Sequence, residues 1–256
     1  MRLPRIVLLL SCLAAVHPAL VQATEAPACD IQPDVLAPTV PLPHVAAALT
    51  RKQINILALG SGSTVGITGQ AAGPALAYRT PGGSFPYRMA DALQAARPDV
   101  KVNLSVKGGR NMTASAMLPI LRDELAHGHV DLVLWQTGTV EAVHGTRPDA
   151  LRSDLVDGID MADGANADLV LIDLQFSRFL RANVDVTPYE SVLTQVAGTE
   201  SVGLFPRWTL TQDWVSNGQI DLERVSPKGR DSAIALLNTC LGSTLTRYIL
   251  GAAAEH

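Results

Sequence analysis

The sequence has 256 residues, a formal net charge of −4 at pH 7 and 47% hydrophobic residues. This length suits one α/β domain, and the lack of a basic surplus argues against nucleic acid as a partner. Beyond the N-terminus, no apolar run in the sequence is long enough to span a bilayer. The spacing of His, Cys and acidic residues is not that of a structural metal site, so we expect no metal and no other cofactor.

The N-terminal residues are typical of a secretory signal peptide. Arg2 and Arg5 precede an apolar stretch that is too short for a membrane span, and Val21-Gln22-Ala23 offers small residues for cleavage. We therefore expect residues 1–23 to be a signal peptide and the mature protein to be periplasmic or secreted. Processing as a lipoprotein at Cys12 is an alternative, although the apolar run before Cys12 is short.

Two cysteines, Cys29 and Cys240, remain in the mature chain after cleavage. In an oxidising compartment such a pair is expected to form a disulfide, and the alternative is two unrelated buried thiols. Residues 24–50 are rich in Pro and Ala and predict an extended N-terminal arm. The disulfide would pin this arm to the C-terminal helix of a single domain that spans residues 51–256.

From residue 54 onward, apolar runs alternate with amphipathic stretches. The pattern predicts strands over residues 54–59, 102–106, 131–135, 168–174 and 202–205, and helices over residues 84–97, 113–127, 150–161, 191–196 and 227–250. This alternation predicts a three-layer α/β/α fold around a parallel five-stranded sheet. In such folds the functional residues lie in the turns that follow the strands.

The turn after the first predicted strand reads Gly60-Ser61-Gly62-Ser63-Thr64. It resembles the first sequence block of the SGNH (GDSL-type) hydrolases, Gly-Asp-Ser-x-Thr, in which the serine is the nucleophile. Gly60 and Thr64 match that block. Ser61 takes the place of the aspartate, and Gly62 takes the place of the nucleophile.

Three further blocks of the SGNH family follow in order, each after a predicted strand. Gly109 matches a glycine whose N–H helps to form the oxyanion hole, Gly138 matches the first residue of Gly-x-Asn-Asp, and Asp221 matches the aspartate of Asp-x-x-His. Val140 replaces the Asn of the third block, and Arg224 replaces the His of the fourth. The resemblance covers residues 54–250 and implies the flavodoxin-like SGNH hydrolase fold.

The resemblance implies an ester hydrolase, but the replaced residues predict little or no hydrolysis. Gly62 has no nucleophile, Arg224 stays protonated, and Val140 cannot donate a hydrogen bond to an oxyanion. Our leading interpretation is therefore a catalytically degenerate protein that binds an envelope polysaccharide or a protein partner. Gly62, Gly138, Val140 and Arg224 would contribute to its binding site, where Arg224 favours an anionic group, unless Arg224 instead pairs with Asp221 at the surface.

An active esterase or acyltransferase is the alternative function. In it, Ser61 or Ser63 serves as a relocated nucleophile, while Asp221 and Gly109 keep the roles that the resemblance implies. His144 follows a strand end, so a Ser63–His144 pair is one form of this hypothesis. Otherwise the two serines cap the next helix or bond the turn backbone.

A third interpretation is a structural domain without a ligand. A sugar-stacking platform would need exposed aromatic side chains, and the sequence offers Trp135, Trp208 and Trp214 for that purpose. Trp135 ends a core strand, and the other two are too far apart for one helical turn. We therefore expect all three to pack in the core.

Overall fold

A computed structural model describes residues 29, 31, 33–68, 78–79 and 83–254 of the chain. The predicted signal peptide, residues 1–23, lies outside the described residues. The strands are, in chain order, β1 (Gln53–Gly60), β2 (Ile67–Thr68), β3 (Tyr78–Arg79), β4 (Lys101–Gly108), β5 (Leu132–Gln136), β6 (Asp168–Ile172) and β7 (Gly203–Phe205).

Helices separate most of these strands, and 3-10 turns occupy Pro33–Leu36 and Pro227–Gly229. The helices are α1 (Pro43–Thr50), α2 (Gly62–Val65), α3 (Phe85–Ala96), α4 (Ala114–His127), α5 (Thr139–His144), α6 (Pro148–Gly164), α7 (Arg178–Asn183), α8 (Thr187–Glu200), α9 (Arg207–Ser216) and α10 (Arg230–Ala254).

The central sheet has five parallel strands in the order β4-β1-β5-β6-β7. Leu59 of β1 lies opposite Lys107 of β4 and Trp135 of β5, so the carboxyl ends of these three strands meet at one edge. The short strands β2 and β3 pair with each other in an antiparallel fashion, outside this sheet. The predicted parallel five-stranded sheet is therefore confirmed.

Apolar side chains cover both faces of the sheet, which explains why β5 and β6 are continuous apolar runs rather than alternating ones. On one face, Ile56 and Leu134 pack in a cluster with residues of α3 and α10, including Leu245. On the other face, Leu57 and Trp135 pack in a cluster with residues of α4, α6 and α8. Trp135, Trp208 and Trp214 are all buried, as expected.

The end of the predicted N-terminal arm differs from the expectation of an extended chain, because Pro43–Thr50 form helix α1. Pro43 is suited to a first helical position, and Val45 and Leu49 are buried on one face of the helix. The Val45 N–H also donates to Asp168 Oδ2 at 2.8 Å, which ties α1 to the start of β6. Tertiary contacts therefore favour a helix where the Pro- and Ala-rich composition indicated extended chain.

A disulfide joins Cys29 to Cys240, whose Cα atoms are 5.4 Å apart. The structure thus contains the pairing that the sequence predicted. The bond fastens the N-terminal segment to α10. Further along the same segment, the Leu42 N–H donates to the Ala252 carbonyl at 3.1 Å, which also holds the segment against α10.

The amino edge of the sheet contains a buried carboxylate, Asp131, just before β5. One of its oxygens accepts the Asn55 N–H at 2.7 Å, and the other accepts a hydrogen bond from Arg51 at 2.6 Å. His129 Nε2 lies 2.9 Å from the same Asp131 carboxylate. These contacts satisfy Asp131 and join the segments before β1 and β5.

In the part of the chain that the structure describes, no helix combines the length and the hydrophobicity needed to cross a bilayer.

Candidate functional site

A cleft of about 400 Å³ opens at the carboxyl edge of the sheet. The turn after β1 contributes residues 61–63, the turn after β4 contributes Arg110 and Asn111, α5 contributes Val140 and His144, and the segment after β6 contributes Gln175. The cleft therefore lies where the parallel topology predicts a functional site. None of the described residues that line it is acidic.

The turn after β1 is organised by the side chain of Gln136, the last residue of β5. Gln136 Oε1 accepts hydrogen bonds from the Ser61 N–H at 3.2 Å, from Ser61 Oγ at 3.1 Å and from Thr64 Oγ1 at 3.0 Å. Ser63 Oγ lies 3.5 Å from the same oxygen. The hydroxyl groups around Gly62 therefore converge on one amide oxygen, which fixes the conformation of the turn.

Gly62, at the place of the nucleophile, is the first residue of the short helix α2. Its backbone is helical, a conformation that serine adopts without strain. The neighbouring strand imposes a stricter requirement, because Gly108 has φ +120° and a Cβ there would lie 1.9 Å from the Gly60 carbonyl oxygen. The close contact between the ends of β1 and β4 therefore depends on glycine at position 108.

Ser63 makes a second contact, with Arg207 at the start of α9. Arg207 Nη2 donates to Ser63 Oγ at 3.2 Å and to Gln175 Oε1 at 2.8 Å. A nucleophilic hydroxyl needs a base that removes its proton, and a protonated guanidinium cannot be that base. The hydrogen bonds that the structure describes for Ser61 and Ser63 involve neither an imidazole nor a carboxylate.

Arg207 is only 1% exposed, and its Nε and Nη1 atoms have no hydrogen-bond partner among the described residues. Its guanidinium lies over the Phe85 ring, 5.4 Å from the ring centroid. Burial lowers the pKa of Arg207 to about 10, so the side chain is still charged at neutral pH. The cleft thus has a buried cation behind its wall.

The carboxyl group whose charge acts on Arg207 is that of Asp173, just after β6. Asp173 Oδ1 accepts a hydrogen bond from the backbone N–H of Trp208 at 2.7 Å. Burial nevertheless raises the pKa of Asp173 to about 8, although the Trp208 N–H and the Arg207 charge both oppose this shift. Burial therefore favours the neutral form of Asp173 and weakens it as a counterion for Arg207.

Glu141, in the third sequence block, is buried and satisfies backbone groups. Its carboxylate accepts the Gly138 N–H at 2.8 Å and the Thr137 hydroxyl at 3.1 Å, and it also accepts the Ala114 N–H at the start of α4. Gly138 has φ +91°, and a Cβ there would lie 2.8 Å from Leu174 Cδ1, so this turn requires glycine. Glu141 therefore holds the turn in place, while Val140 lines the cleft.

The glycine of the second block does not offer its N–H to the cleft. The Gly109 N–H donates to the Gly60 carbonyl at 3.3 Å, and Gly109 is not among the described residues that line the cleft. The Gly138 N–H donates to Glu141. The backbone donor that the SGNH resemblance suggested, the Gly109 N–H, is therefore engaged within the protein, as is the N–H of Gly138.

The fourth block lies beside a separate cavity of about 180 Å³, which Asp221 lines together with apolar residues such as Phe176 and Leu222. Asp221 accepts two 2.7 Å hydrogen bonds from Arg178 Nη1, and this contact lowers the pKa of the Asp221 carboxyl. The Arg224 side chain is 76% exposed, and its Nε atom lies 3.8 Å from Asp221. Arg224 is not among the residues that line the larger cleft.

The structure therefore brings only some of the predicted site residues together. Ser61, Gly62, Ser63 and Val140 line the cleft, and His144 lines it as well. In the described part of the chain, no hydrogen bond joins His144 to either serine. Gly109 and Gly138 support the cleft from behind, whereas Asp221 and Arg224 lie at the neighbouring cavity and the surface.

The sequence interpretation missed Gln136, Gln175 and Arg207. Gln136 ends an apolar strand, and Gln175 lies three residues after another, so a polar side chain near a strand end was the available signal for both. Arg207 offers no such signal, because a single arginine near a Trp normally indicates an exposed helix face. Its burial results from packing against Phe85 and from hydrogen bonds to distant turns.

Comparison with solved structures supports the fold. This chain is similar to TesA, with 18% identity, a TM-score of 0.52 and coverage of 76% of this chain and 99% of TesA. It is similar to LAE5, an alpha/beta hydrolase enzyme from the metagenome of Lake Arreo, Spain, with 14% identity, a TM-score of 0.57 and coverage of 78% and 95% of the two chains. For Axe2, an acetylxylan esterase from Geobacillus stearothermophilus, the identity is 14%, the TM-score 0.56 and the coverage 79% and 95%.

A comparison with curated proteins finds no significant match. The similarities to solved structures confirm the SGNH-type three-layer fold that the sequence blocks implied. At family level, a sequence model matches residues 28–255, which is nearly the whole chain. The chain belongs to the non-GDSL lipase-like family.

Proposed function

We propose that this protein is a catalytically degenerate SGNH-type protein that binds carbohydrate in the cleft without hydrolysing it. One observation carries the proposal. Gly62 occupies the place of the nucleophile, and the hydroxyl groups on either side of it, those of Ser61 and Ser63, contact Gln136 and Arg207 rather than a base. The cleft is thus retained, while the group that starts ester hydrolysis is replaced.

The stabilisation of an oxyanion is weakened as well. An SGNH enzyme aims hydrogen-bond donors at the developing negative charge, and loss of one such donor costs ~10²–10³ in rate. Here Val140 has no donor, and the Gly109 N–H is engaged with Gly60. These changes act together with the missing nucleophile, so we expect ester turnover no greater than the uncatalysed background.

The lining of the cleft supports a carbohydrate ligand. Hydroxyl and amide groups of Ser63, Asn111, Thr139 and Gln175 can bond the hydroxyl groups of a sugar, and Val140 can pack against its apolar face. An acetylxylan esterase is among the proteins of similar fold, which is in line with this class of ligand.

We further propose that the protein acts in the periplasm or outside the cell, as a binding or assembly module for an envelope polysaccharide or its protein partner. The signal-like N-terminus and the Cys29–Cys240 disulfide support this location. Cell fractionation followed by alkylation of free thiols tests it. Recovery of the whole chain in the cytoplasm with Cys29 and Cys240 alkylated would contradict this location.

An active esterase or acyltransferase is the second candidate, because Ser61, Ser63 and His144 all line the same cleft. For this candidate, the cleft would have to rearrange so that His144 reaches one of the serines. The two candidates differ in one testable respect: an active enzyme would turn over an ester substrate, and this turnover would depend on either Ser61 or Ser63.

The experiment that tests the proposed function uses the mature protein, 4-nitrophenyl acetate and xylotetraose. We expect binding of the sugar in isothermal titration calorimetry and no ester hydrolysis above background. Turnover that Ser61→Ala or Ser63→Ala abolishes would instead establish the second candidate. The absence of binding to any neutral or acidic oligosaccharide would refute carbohydrate binding.

A restoration experiment complements this test. Gly62→Ser supplies a nucleophile at a helical position, Val140→Asn a donor, and Arg224→His an imidazole near Asp221. Because the residues of a catalytic triad act as a unit and position 224 lies outside the cleft, we expect single changes to have no effect and the triple variant to regain only a small part of the hydrolysis of an intact triad. A folded but inactive triple variant, beside an active wild type, would contradict the assignment of the four blocks.

A further inference from the structure

We propose that the cleft selects sugars that carry a carboxylate, and that the buried guanidinium of Arg207 provides this selectivity. This inference rests on the proposed carbohydrate-binding function and specifies the class of ligand. Arg224, the residue that the sequence suggested for an anion, lies outside the cleft.

The position of Arg207 places a positive charge directly behind the cleft wall. Its Nη2 atom donates to Gln175 and to Ser63, and both of these residues line the cleft. The side chain is 1% exposed, yet its Nε and Nη1 donors have no partner among the described residues. Because these two donors are buried and Arg207 does not itself line the cleft, the guanidinium acts on a ligand in the cleft through its charge rather than by direct contact.

Among the described residues, no carboxylate forms an ion pair with Arg207 within 4 Å. Asp173 accepts the backbone N–H of Trp208, and burial raises its pKa, which weakens it as a counterion for Arg207. Glu141, in α5, already accepts three hydrogen bonds, two of them from the Gly138 and Ala114 N–H groups. A buried charge without a counterion is costly, and a carboxylate on a ligand would relieve that cost.

The rest of the cleft is complementary to an acidic sugar. Arg110 and His144 line the cleft, and none of the described lining residues carries a negative charge. Asn111 and Thr139 provide neutral polar groups suited to sugar hydroxyl groups. The protein as a whole has a net charge of −4, whereas the described residues that line the cleft include no acidic side chain.

The test compares tetragalacturonate with its fully methyl-esterified form, in which each carboxylate is a neutral methyl ester, by titration calorimetry on the mature protein. Opposite charges a few ångströms apart attract strongly where the protein excludes water, so we expect the acid to bind at least about tenfold more tightly at low salt. Arg207→Met should abolish this preference. Arg122→Met removes an exposed arginine from α4 and is the matched control, which should retain the preference.

Two further variants separate the charge of Arg207 from its structural role. Arg207→Lys keeps a cation and should retain part of the preference, whereas Arg207→Gln keeps a polar side chain and should lose it. Arg207→Gln also takes the place of Arg207→Met if that variant does not fold. A preference that survives in folded Arg207→Gln would overturn the assignment to Arg207.

The other outcomes distinguish this inference from the proposed function. Equal binding of the acid and the ester, or of the acid and xylotetraose, would overturn the inference and leave carbohydrate binding intact. Inorganic phosphate that binds as tightly as tetragalacturonate would overturn selectivity for a carboxylate sugar and indicate a phosphate site. A failure of every sugar to bind would refute the proposed function and this inference together.

Discussion

The two edges of the sheet each contain a buried charged side chain. At the amino edge, the Asp131 carboxylate accepts hydrogen bonds from Asn55 and Arg51. At the carboxyl edge, the Nε and Nη1 atoms of Arg207 have no hydrogen-bond partner among the described residues. Asp131 belongs to a completed network that joins neighbouring segments. Arg207 belongs to an incomplete one beside a cleft. Since buried polar groups are normally satisfied, the difference is in line with a structural role for Asp131 and with the ligand-directed role that we propose for Arg207.

The Cys29–Cys240 disulfide does not line the cleft, so its removal should affect the stability of the protein and not the binding of a ligand. The double variant Cys29→Ser, Cys240→Ser is expected to lower the free energy of unfolding by about 4 kcal/mol, because the bond closes a loop of 211 residues. Urea denaturation measures this loss, and sugar binding by the folded variant should be unchanged. A loss below about 1 kcal/mol would contradict a stabilising role for the disulfide.

At the amino edge, Asp131→Ala should lower the free energy of unfolding by about 3 kcal/mol. The substitution leaves the Asn55 N–H without its acceptor and removes the partner of Arg51. Asp123→Ala, which removes a 70% exposed carboxylate from α4, is the matched control and should change stability by no more than about 0.5 kcal/mol. Similar losses for the two variants would refute the structural role of Asp131.

Asp173 should make stability depend on pH. Its pKa is about 8 in the folded protein, above its ordinary value of 3.8, so the folded state holds a proton that the unfolded state has released. The contribution of Asp173 to the free energy of unfolding is therefore largest below pH 4. It falls as the pH rises towards 8, by at most about 1.4 kcal/mol per pH unit.

The variant Asp173→Asn tests this pH dependence, because asparagine can still accept the Trp208 N–H but does not titrate. Urea denaturation at intervals between pH 5 and pH 8 should give a free energy of unfolding that falls more steeply for the wild type than for the variant. Parallel curves for the two proteins would show that Asp173 is ionised throughout this range and neutralises Arg207.

At the carboxyl edge, Arg207→Met should change the free energy of unfolding by no more than about 1 kcal/mol. The variant loses hydrogen bonds to Ser63 and Gln175, but it also removes a buried charge with unsatisfied donors and keeps an apolar contact with Phe85. Thermal unfolding of Arg207→Met and Asp131→Ala under the same conditions compares the losses of stability of the two variants. A loss as large as that of Asp131→Ala would make Arg207 a structural residue and remove the contrast between the two edges.

The sequence was sufficient for the sheet because short apolar runs such as 131–135 and 168–174, each followed by turn residues, are typical of buried strands. The glycines at the strand ends were informative too, since a close contact between strands requires Gly108, and Gly138 has a positive φ. Short helices such as α5 and α7 were not predicted, because one or two turns give too little periodicity and are formed by tertiary contacts.

The site was harder to predict than the fold. The sequence blocks placed Ser61, Gly62 and Ser63 correctly at a strand end, but they could not place Arg224, whose position depends on the pairing of Asp221 with Arg178, 43 residues earlier. Arg207 contacts Ser63 across 144 residues of sequence. Contacts of this kind are determined by the packing of whole elements and leave no trace in local sequence.

The central claim is that the cleft binds an acidic sugar and does not hydrolyse its esters. The most direct measurement uses partially O-acetylated tetragalacturonate and follows binding by calorimetry and acetate release by enzymatic assay in the same solution. We predict saturable binding that Arg207→Met weakens by about tenfold and no acetate release above the protein-free control. Acetate release that Ser61→Ala or Ser63→Ala abolishes would contradict the account and show that the protein is an active esterase.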